Sequence, residues 1–174
     1  MKSAERRKEI ARLLEGSGEP LKGAELASRF EVSRQVIVQD LALLRAEGAA
    51  LVATPQGYLA VQPDQTAGLM KTVATRHNDF PSMEEELLIL IEEGARVLNV
   101  IVEHPLYGEI TGSLMLATKR DVHHFMEKMR ESGGEPLASL TGGVHLHRIQ
   151  VPDERSWRKI LTRLRERDYL AAEE

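Results

Sequence analysis

A short stretch near residue 145 constrains the chain most, because it joins a break in the backbone to a strand that carries two histidines. The stretch reads Leu140-Thr141-Gly142-Gly143-Val144-His145-Leu146-His147. Successive side chains of an extended strand point to opposite faces, so His145 and His147 share one face. Two imidazoles on one face of a strand can bind one metal ion or one ligand. The stretch therefore predicts a β-strand that carries half of a binding site.

The composition limits the chemistry of such a site. The 174 residues include no cysteine, so any metal ligands must come from His, Asp or Glu. The length allows one large or two small domains. The charged N-terminus is unlike a signal peptide, and no apolar run approaches the roughly 18 residues needed to cross a bilayer. We expect a cytoplasmic protein without membrane contact. The net charge of −4 does not by itself predict DNA binding.

The first third of the chain has the pattern of a winged helix-turn-helix. Apolar periodicity and turn residues predict three helices and a β-hairpin, at residues 3–15, 23–30, 34–47 and 50–61. A tight turn that ends in Ser33, a good N-cap, separates the second helix from the third. This order predicts a DNA-binding domain over residues 1–62, with the hairpin as its wing.

The third helix has an outer face suited to reading bases. Ile37, Leu41 and Leu44 form the apolar stripe that must pack inward. The opposite face carries amide and short side chains, and Gln can pair with adenine while Val can meet a thymine methyl group. Arginines beside that face suit phosphates. The predicted DNA contacts are Ser33, Arg34, Gln35, Val38, Gln39, Arg45 and, in the wing, Gln56. The alternative is a three-helix packing module without a DNA role.

The remaining residues predict a second domain, over residues 69–174, after a polar linker at 62–68. Its predicted strands are residues 69–76, 95–103, 109–117, 137–140 and 144–151. Its predicted helices begin at the N-cap Ser82, at Lys119 and at Pro152-Asp153-Glu154. The order β-α-β-β-α-β-β-α favours an antiparallel sheet with helices on one face. The whole chain is expected to be α+β, with an HPr-like two-layer second domain.

Candidate partners for the two strand histidines lie some sixty residues earlier. His77 ends the first strand of the second domain, and three glutamates, Glu84 to Glu86, open the helix that follows. Three neutral imidazoles and one carboxylate suit Zn²⁺, Ni²⁺, Co²⁺ or Fe²⁺ and leave positions open for a small molecule. Helical periodicity points Glu85 to solvent. It leaves both Glu84 and Glu86 open as the ligand.

These motifs resemble a known family of bacterial regulators. Residues 33–48 and 54–58 resemble the DNA-binding module of winged-helix repressors that sense small molecules. The second domain resembles the three-histidine (3H) domain of nicotinic-acid-responsive repressors of NAD biosynthesis and salvage. The matching motifs are residues 84–88, 102–110 and 140–147. The resemblance implies that the metal ligands are His77, Glu86, His145 and His147. The loop after His77 is one residue longer than is usual, so counting without a gap would give Glu85.

The resemblance also implies a function. We expect a homodimeric transcriptional repressor, not an enzyme, that binds operator DNA with a pyridine carboxylate, nicotinic acid, as corepressor at a bound Ni²⁺ or Zn²⁺. His104 and Tyr107, in the second motif, are expected to contact the effector. The alternative for them is a structural turn. Two other functions stay open on the residues alone, a metal-dependent hydrolase fused to a DNA-binding domain and a phosphohistidine-regulated transcription factor.

Overall fold

The computed structural model describes residues 1–61 and 68–171 and divides into two compact units, Met1–Gln65 and Thr66–Glu174. The predicted linker lies, except for Gly68, outside the described residues. The boundaries 1–62 and 69–174 therefore stay predictions. Each unit has its own buried apolar core, and together they have the expected α+β content. No helix within the described ranges is long and apolar enough to cross a membrane.

The first unit contains three helices and a two-stranded wing. The elements are α1 (Ser3–Ser17), α2 (Gly23–Arg29), α3 (Arg34–Ala46), β1 (Leu51–Thr54) and β2 (Gly57–Ala60). Ile37, Leu41 and Leu44 are buried on the inner side of α3, as predicted. The Ser33 hydroxyl accepts a hydrogen bond from the Val36 amide and so caps the helix.

An ion pair fixes α3 against α1. Asp40 lies on the inner side of α3 and is 3% exposed. Its carboxylate accepts a hydrogen bond from Arg6 Nε at 2.6 Å, and Arg7 lies 3.9 Å away. A buried charge that loses its partner costs about 3–5 kcal/mol. The pair therefore holds the outer face of α3 in one orientation on the domain.

The wing is attached to the loop that precedes α2. Leu21 and Tyr58 exchange two backbone hydrogen bonds, each 2.8 Å long. Gly57 has a φ of 142°, and a Cβ atom there would lie 2.5 Å from the Leu21 carbonyl oxygen. Only glycine fits this backbone contact, because other residues would push the wing away from the helices.

The second unit is a sheet covered by three helices. In chain order its elements are β3 (Leu69–Arg76), α4 (Phe80–Glu92), β4 (Arg96–His104), β5 (Gly108–Leu116), α5 (Lys119–Ser132), a 3₁₀ helix (Leu137–Thr141), β6 (Val144–Val151) and α6 (Glu154–Glu166). The strand order is β3-β6-β4-β5, and every neighbouring pair is antiparallel. The inner face of the sheet and the apolar sides of α4, α5 and α6 form one core.

Two predicted elements differ from the structure. Residues 137–140 are not a strand but part of the 3₁₀ helix, which begins after Pro136 and ends at the left-handed Gly142. Proline fixes the entry angle and glycine reverses the chain, so a run this short closes into one tight turn. The N-cap of α4 is Asp79 and not Ser82, because the Asp79 carboxylate accepts a hydrogen bond from the Ser82 amide at 2.8 Å. Pro81 fits the first turn, where no amide donor is needed.

Candidate metal centre

The two strand histidines lie on the inner face of the sheet. His145 and His147 belong to β6 and pair across the ladder with Thr75 and Val73 of β3. Both residues are 3% exposed, and their ring centres are 5.0 Å apart. Because side chains alternate along β6, both rings point into the core beneath α4.

Glu86 of α4 points from the helix towards the rings of His145 and His147. Its side chain is 0% exposed, and its Oε2 atom contacts Nε2 of His77. The same oxygen is 3.2 Å from Nε2 of His145 and 3.5 Å from Nε2 of His147. One ligand atom from each of His77, Glu86 and His145 lies within 4.8 Å of the other two. Three imidazole nitrogens therefore converge on one carboxylate oxygen.

Backbone carbonyls decide which ring nitrogens carry the protons. His145 Nδ1 is 2.8 Å from the Gly143 carbonyl oxygen, and His147 Nδ1 is 2.8 Å from that of Asn99. A carbonyl oxygen only accepts, so each Nδ1 is the donor and each neutral ring presents a lone pair at Nε2. Metal-binding histidines are commonly oriented in this way, by a carbonyl on the far nitrogen.

The residues present fit a divalent transition metal. Two lone pairs directed at a carboxylate oxygen repel it unless a positive charge lies between them. The second oxygen of Glu86, Oε1, is buried and has no hydrogen-bond partner among the described residues. Buried polar atoms are rarely left in this state unless an ion or water completes them. Imidazole nitrogen and carboxylate oxygen are the ligand types that Zn²⁺ and Ni²⁺ accept.

The charges of the cluster act on one another. Burial opposes ionisation of Glu86, but the positive charge of a protonated His147, together with the neighbouring imidazoles of His145 and His77, outweighs it and holds the pKa of Glu86 well below its usual value. Burial lowers the pKa of His147, but the adjacent Glu86 carboxylate raises it above its usual value overall. The cluster therefore holds a negative charge that attracts either a proton or a metal cation.

An irregularity in β4 makes the His147 contact possible. The pairing between β4 and β6 shifts register between Val97 and Ile101, so β4 contains an extra residue there. The bulge frees the Asn99 carbonyl for the His147 ring, while the Asn99 side-chain oxygen accepts from the Arg148 amide at 3.2 Å. Bulges commonly redirect groups next to functional sites.

Gly143 joins the two histidine-bearing segments. Its carbonyl oxygen accepts from the His77 amide at 3.2 Å and from the His145 ring. Its φ is 98°, and a Cβ atom there would lie 2.9 Å from the His77 carbonyl oxygen. A side chain would meet a rigid backbone, so glycine is required for His77 to approach β6.

The three consecutive glutamates have different partners. Glu84 accepts from Arg130 at 2.7 Å and lies 3.1 Å from His123. Glu85 accepts from the Tyr169 hydroxyl and is 3.0 Å from Arg167. Glu86 is the one that contacts His77, His145 and His147, and its role as a metal ligand stays a prediction.

The predicted effector residues lie elsewhere in this unit. His104 and Tyr107 flank the turn between β4 and β5, where His104 Nδ1 accepts from the Leu106 and Tyr107 amides at 3.1 and 3.3 Å. The structure does not bring them into the histidine cluster, and the bonds are those of a structural turn.

A surface depression of about 320 Å³ has His145 among the residues that line it. The other residues that line it are Ile101, Val102, Glu103, Thr141, Val144 and Leu146.

Most of the predicted DNA contacts are accessible. The exposed residues of the set are Ser33, Arg34, Gln35, Val38, Gln39 and Arg45. Gln56 differs, because both polar atoms of its amide are buried and lack a partner within the described part of the chain. It lies in the turn between β1 and β2, and in this conformation its amide does not face solvent.

Comparison with known proteins identifies the class. Residues 6–59 match an HTH domain, and residues 70–173 match a 3H domain. The chain is 45% identical to the probable transcription repressor NiaR of Thermotoga maritima, over 97% of this chain and 95% of that protein. It is 41% identical to the transcription repressor NadR of Bacillus subtilis, over 87% of this chain and 84% of that protein.

The class is therefore a helix-turn-helix transcription repressor and not an enzyme. Within it, the chain belongs to the 3H-domain family. The resemblance to NAD-related repressors is confirmed, and the alternative of a hydrolase is wrong.

Proposed function

We propose that this repressor controls genes of NAD biosynthesis or of niacin salvage and uptake, with nicotinic acid as corepressor. The observation that carries the proposal is the convergence of three Nε2 atoms on Glu86 Oε2 inside the core. His77, Glu86, His145 and His147 would hold the metal, which we propose to be Ni²⁺ or Zn²⁺. When bound, the metal supplies a Lewis-acidic position for the oxygen or ring nitrogen of a pyridine carboxylate.

The chain itself does the positioning. The carbonyls of Gly143 and Asn99 hold two imidazoles in the metal-binding tautomer before any ligand arrives. His104 and Tyr107 would contact the effector only from the β4–β5 turn, where His104 accepts hydrogen bonds from the Leu106 and Tyr107 amides.

The signal would pass to DNA through a homodimer. Two copies present two α3 helices, and a dimer reads half-sites one helical turn, roughly 34 Å, apart. Nicotinic acid acts as corepressor if it binds the DNA-competent arrangement of the dimer more tightly than the other arrangement. Ser33, Arg34, Gln35, Val38, Gln39 and Arg45 would contact DNA from α3, with Gln56 assisting from the wing.

The test combines metal analysis with DNA binding. Elemental analysis of the purified full chain is expected to give about one metal per chain for the wild type and for His124→Ala, an exposed histidine of α5. His145→Ala is expected to lose the metal. With Ni²⁺ or Zn²⁺ present, nicotinic acid should raise the affinity for an operator selected from random-sequence DNA, as measured by fluorescence anisotropy. An operator affinity that is unchanged by both metal and nicotinic acid would overturn the proposal.

A further inference from the structure

A buried threonine lies against the proposed metal centre. Thr75 of β3 is 0% exposed and sits directly opposite His145 in the ladder. Its hydroxyl oxygen is 3.0 Å from Nε2 of His145, the nitrogen that faces Glu86. In sequence it is an ordinary residue of a β-strand, since threonine is common in strands.

The direction of this hydrogen bond follows from the tautomer. His145 donates Nδ1–H to the Gly143 carbonyl, so a neutral ring accepts at Nε2. The Thr75 hydroxyl is therefore the donor. Threonine is branched at Cβ and has a restricted χ1, so the hydroxyl stays directed at the centre.

A metal held by the cluster would change the partner of Thr75. Coordination by His145 would use the Nε2 lone pair that the Thr75 hydroxyl contacts in the structure. A buried hydroxyl without an acceptor costs free energy, so the donor must find another oxygen close by. In the structure the hydroxyl pairs with His145, and Oε1 of Glu86 has no hydrogen-bond partner in the described ranges.

We propose that the Thr75 hydroxyl donates a hydrogen bond to an oxygen of a small carboxylate that occupies the open position of the metal. Thr75 is then a positioning residue for the effector rather than a ligand of the metal. The inference rests on the proposed function, because it needs both a metal and an acidic effector at this cluster. It adds one contact that links β3 directly to the effector.

The test uses the full-length protein loaded with Ni²⁺ or Zn²⁺, with nicotinic acid as the probe. Thr75→Val keeps the shape of the buried side chain and removes the donor, and Thr75→Ser keeps the donor. The matched control is Thr72→Val, a threonine of the same strand that is exposed on the other face of the sheet. Metal content is measured by elemental analysis, and affinity for nicotinic acid by calorimetry.

Thr75→Val is expected to retain the full metal content and to bind nicotinic acid about tenfold more weakly, the effect of one hydrogen bond. Thr75→Ser should bind within about threefold of the wild type, and Thr72→Val should be unchanged. Wild-type affinity in Thr75→Val would overturn this inference alone, and so would loss of the metal, which would make Thr75 part of the metal shell. A wild-type protein that binds neither metal nor nicotinic acid would overturn the proposed function as well.

Discussion

His145 and Glu86 lie 59 residues apart in the chain, yet Nε2 of the first is 3.2 Å from Oε2 of the second inside the core. His145 belongs to β6, the last strand in chain order, and Glu86 belongs to α4, which covers the sheet. A cation bound between them would join the two layers of the domain. A ligand bound at that point would therefore contact both layers of the domain.

Glu86→Gln should remove the metal site without removing the side chain. The amide is nearly the same size but carries no charge, and it cannot balance a divalent cation among neutral imidazoles. We expect metal affinity to fall by more than about 100-fold, exceeding the usual effect of losing a group that only supports a ligand. Competitive titration with a chelating indicator measures it. The matched control is Glu85→Gln, whose carboxylate binds Tyr169 and Arg167. Equal losses in the two variants would contradict the assignment.

Bound metal should stabilise the domain against heat. A ligand that binds only the folded state adds about 2.7 kcal/mol when its free concentration is 100 times its Kd. Removal of metal by a chelator should lower the melting temperature of the wild type, and re-addition should restore it. In His147→Ala the same cycle should have little effect, because Nε2 of that residue is one of the three converging nitrogens. Differential scanning calorimetry with and without metal measures this shift.

Parts of the site follow from the sequence and parts do not. His145 and His147 share a face because strand side chains alternate, so their pairing could be predicted. Periodicity could not separate Glu84 from Glu86, since both flank the apolar stripe of α4 and only tertiary contacts distinguish them. The role of Asn99 depends on a bulge in β4, and an apolar pattern carries no information about which carbonyl such a bulge frees.

Parts of the fold could likewise be predicted from the sequence, and parts could not. The helices of the first unit follow from periodicity and capping, because each helix has one buried stripe. The predicted strand at 137–140 failed because its few apolar residues suit a strand and a 3₁₀ turn equally well, and Pro136 and Gly142 decide between them. Thr75 gave no signal, since its hydroxyl becomes informative only once His145 lies opposite it.

In the metal-free protein, the Glu86–His147 pair should add most to stability at mildly acidic pH. The raised pKa of folded His147 means that its contribution is complete below the unfolded value of about 6.5 and is lost as pH rises through the folded pKa. The lowered pKa of Glu86 means that its contribution is complete above about 4.5 and is lost as pH falls through the folded pKa. Urea unfolding of chelator-treated protein should therefore show a contribution between about pH 4.5 and 6.5 that Glu86→Gln lacks. Identical pH profiles for the two proteins would contradict the coupling.

Gly143→Ala should disturb the site more than Gly142→Ala. Both glycines have positive φ, 98° and 63°, so alanine is strained at either position. The backbone strain alone costs about 1–3 kcal/mol. At Gly142 a Cβ atom meets nothing within 4 Å, whereas at Gly143 it would lie 2.9 Å from the His77 carbonyl oxygen. We expect Gly143→Ala to lose both stability and metal, and Gly142→Ala to lose some stability but keep its metal. Thermal unfolding and elemental analysis of the same samples distinguish the two effects.

Substitutions on the outer face of α3 should affect overall DNA affinity and sequence specificity separately. Arg45 and Gln39 are both exposed there, but a guanidinium suits phosphates and an amide suits a base edge. Arg45→Ala should weaken binding to all DNA about equally and reduce the slope of log affinity against log salt by about one. Gln39→Ala should leave that slope unchanged and cost about 1–3 kcal/mol on the operator only. Leu43→Ala, at an exposed apolar position of the same helix, is the control. Anisotropy titrations on operator and random DNA at several salt concentrations measure all three variants. A salt slope changed by Gln39→Ala, or discrimination lost in Arg45→Ala, would show that these two roles are assigned the wrong way round.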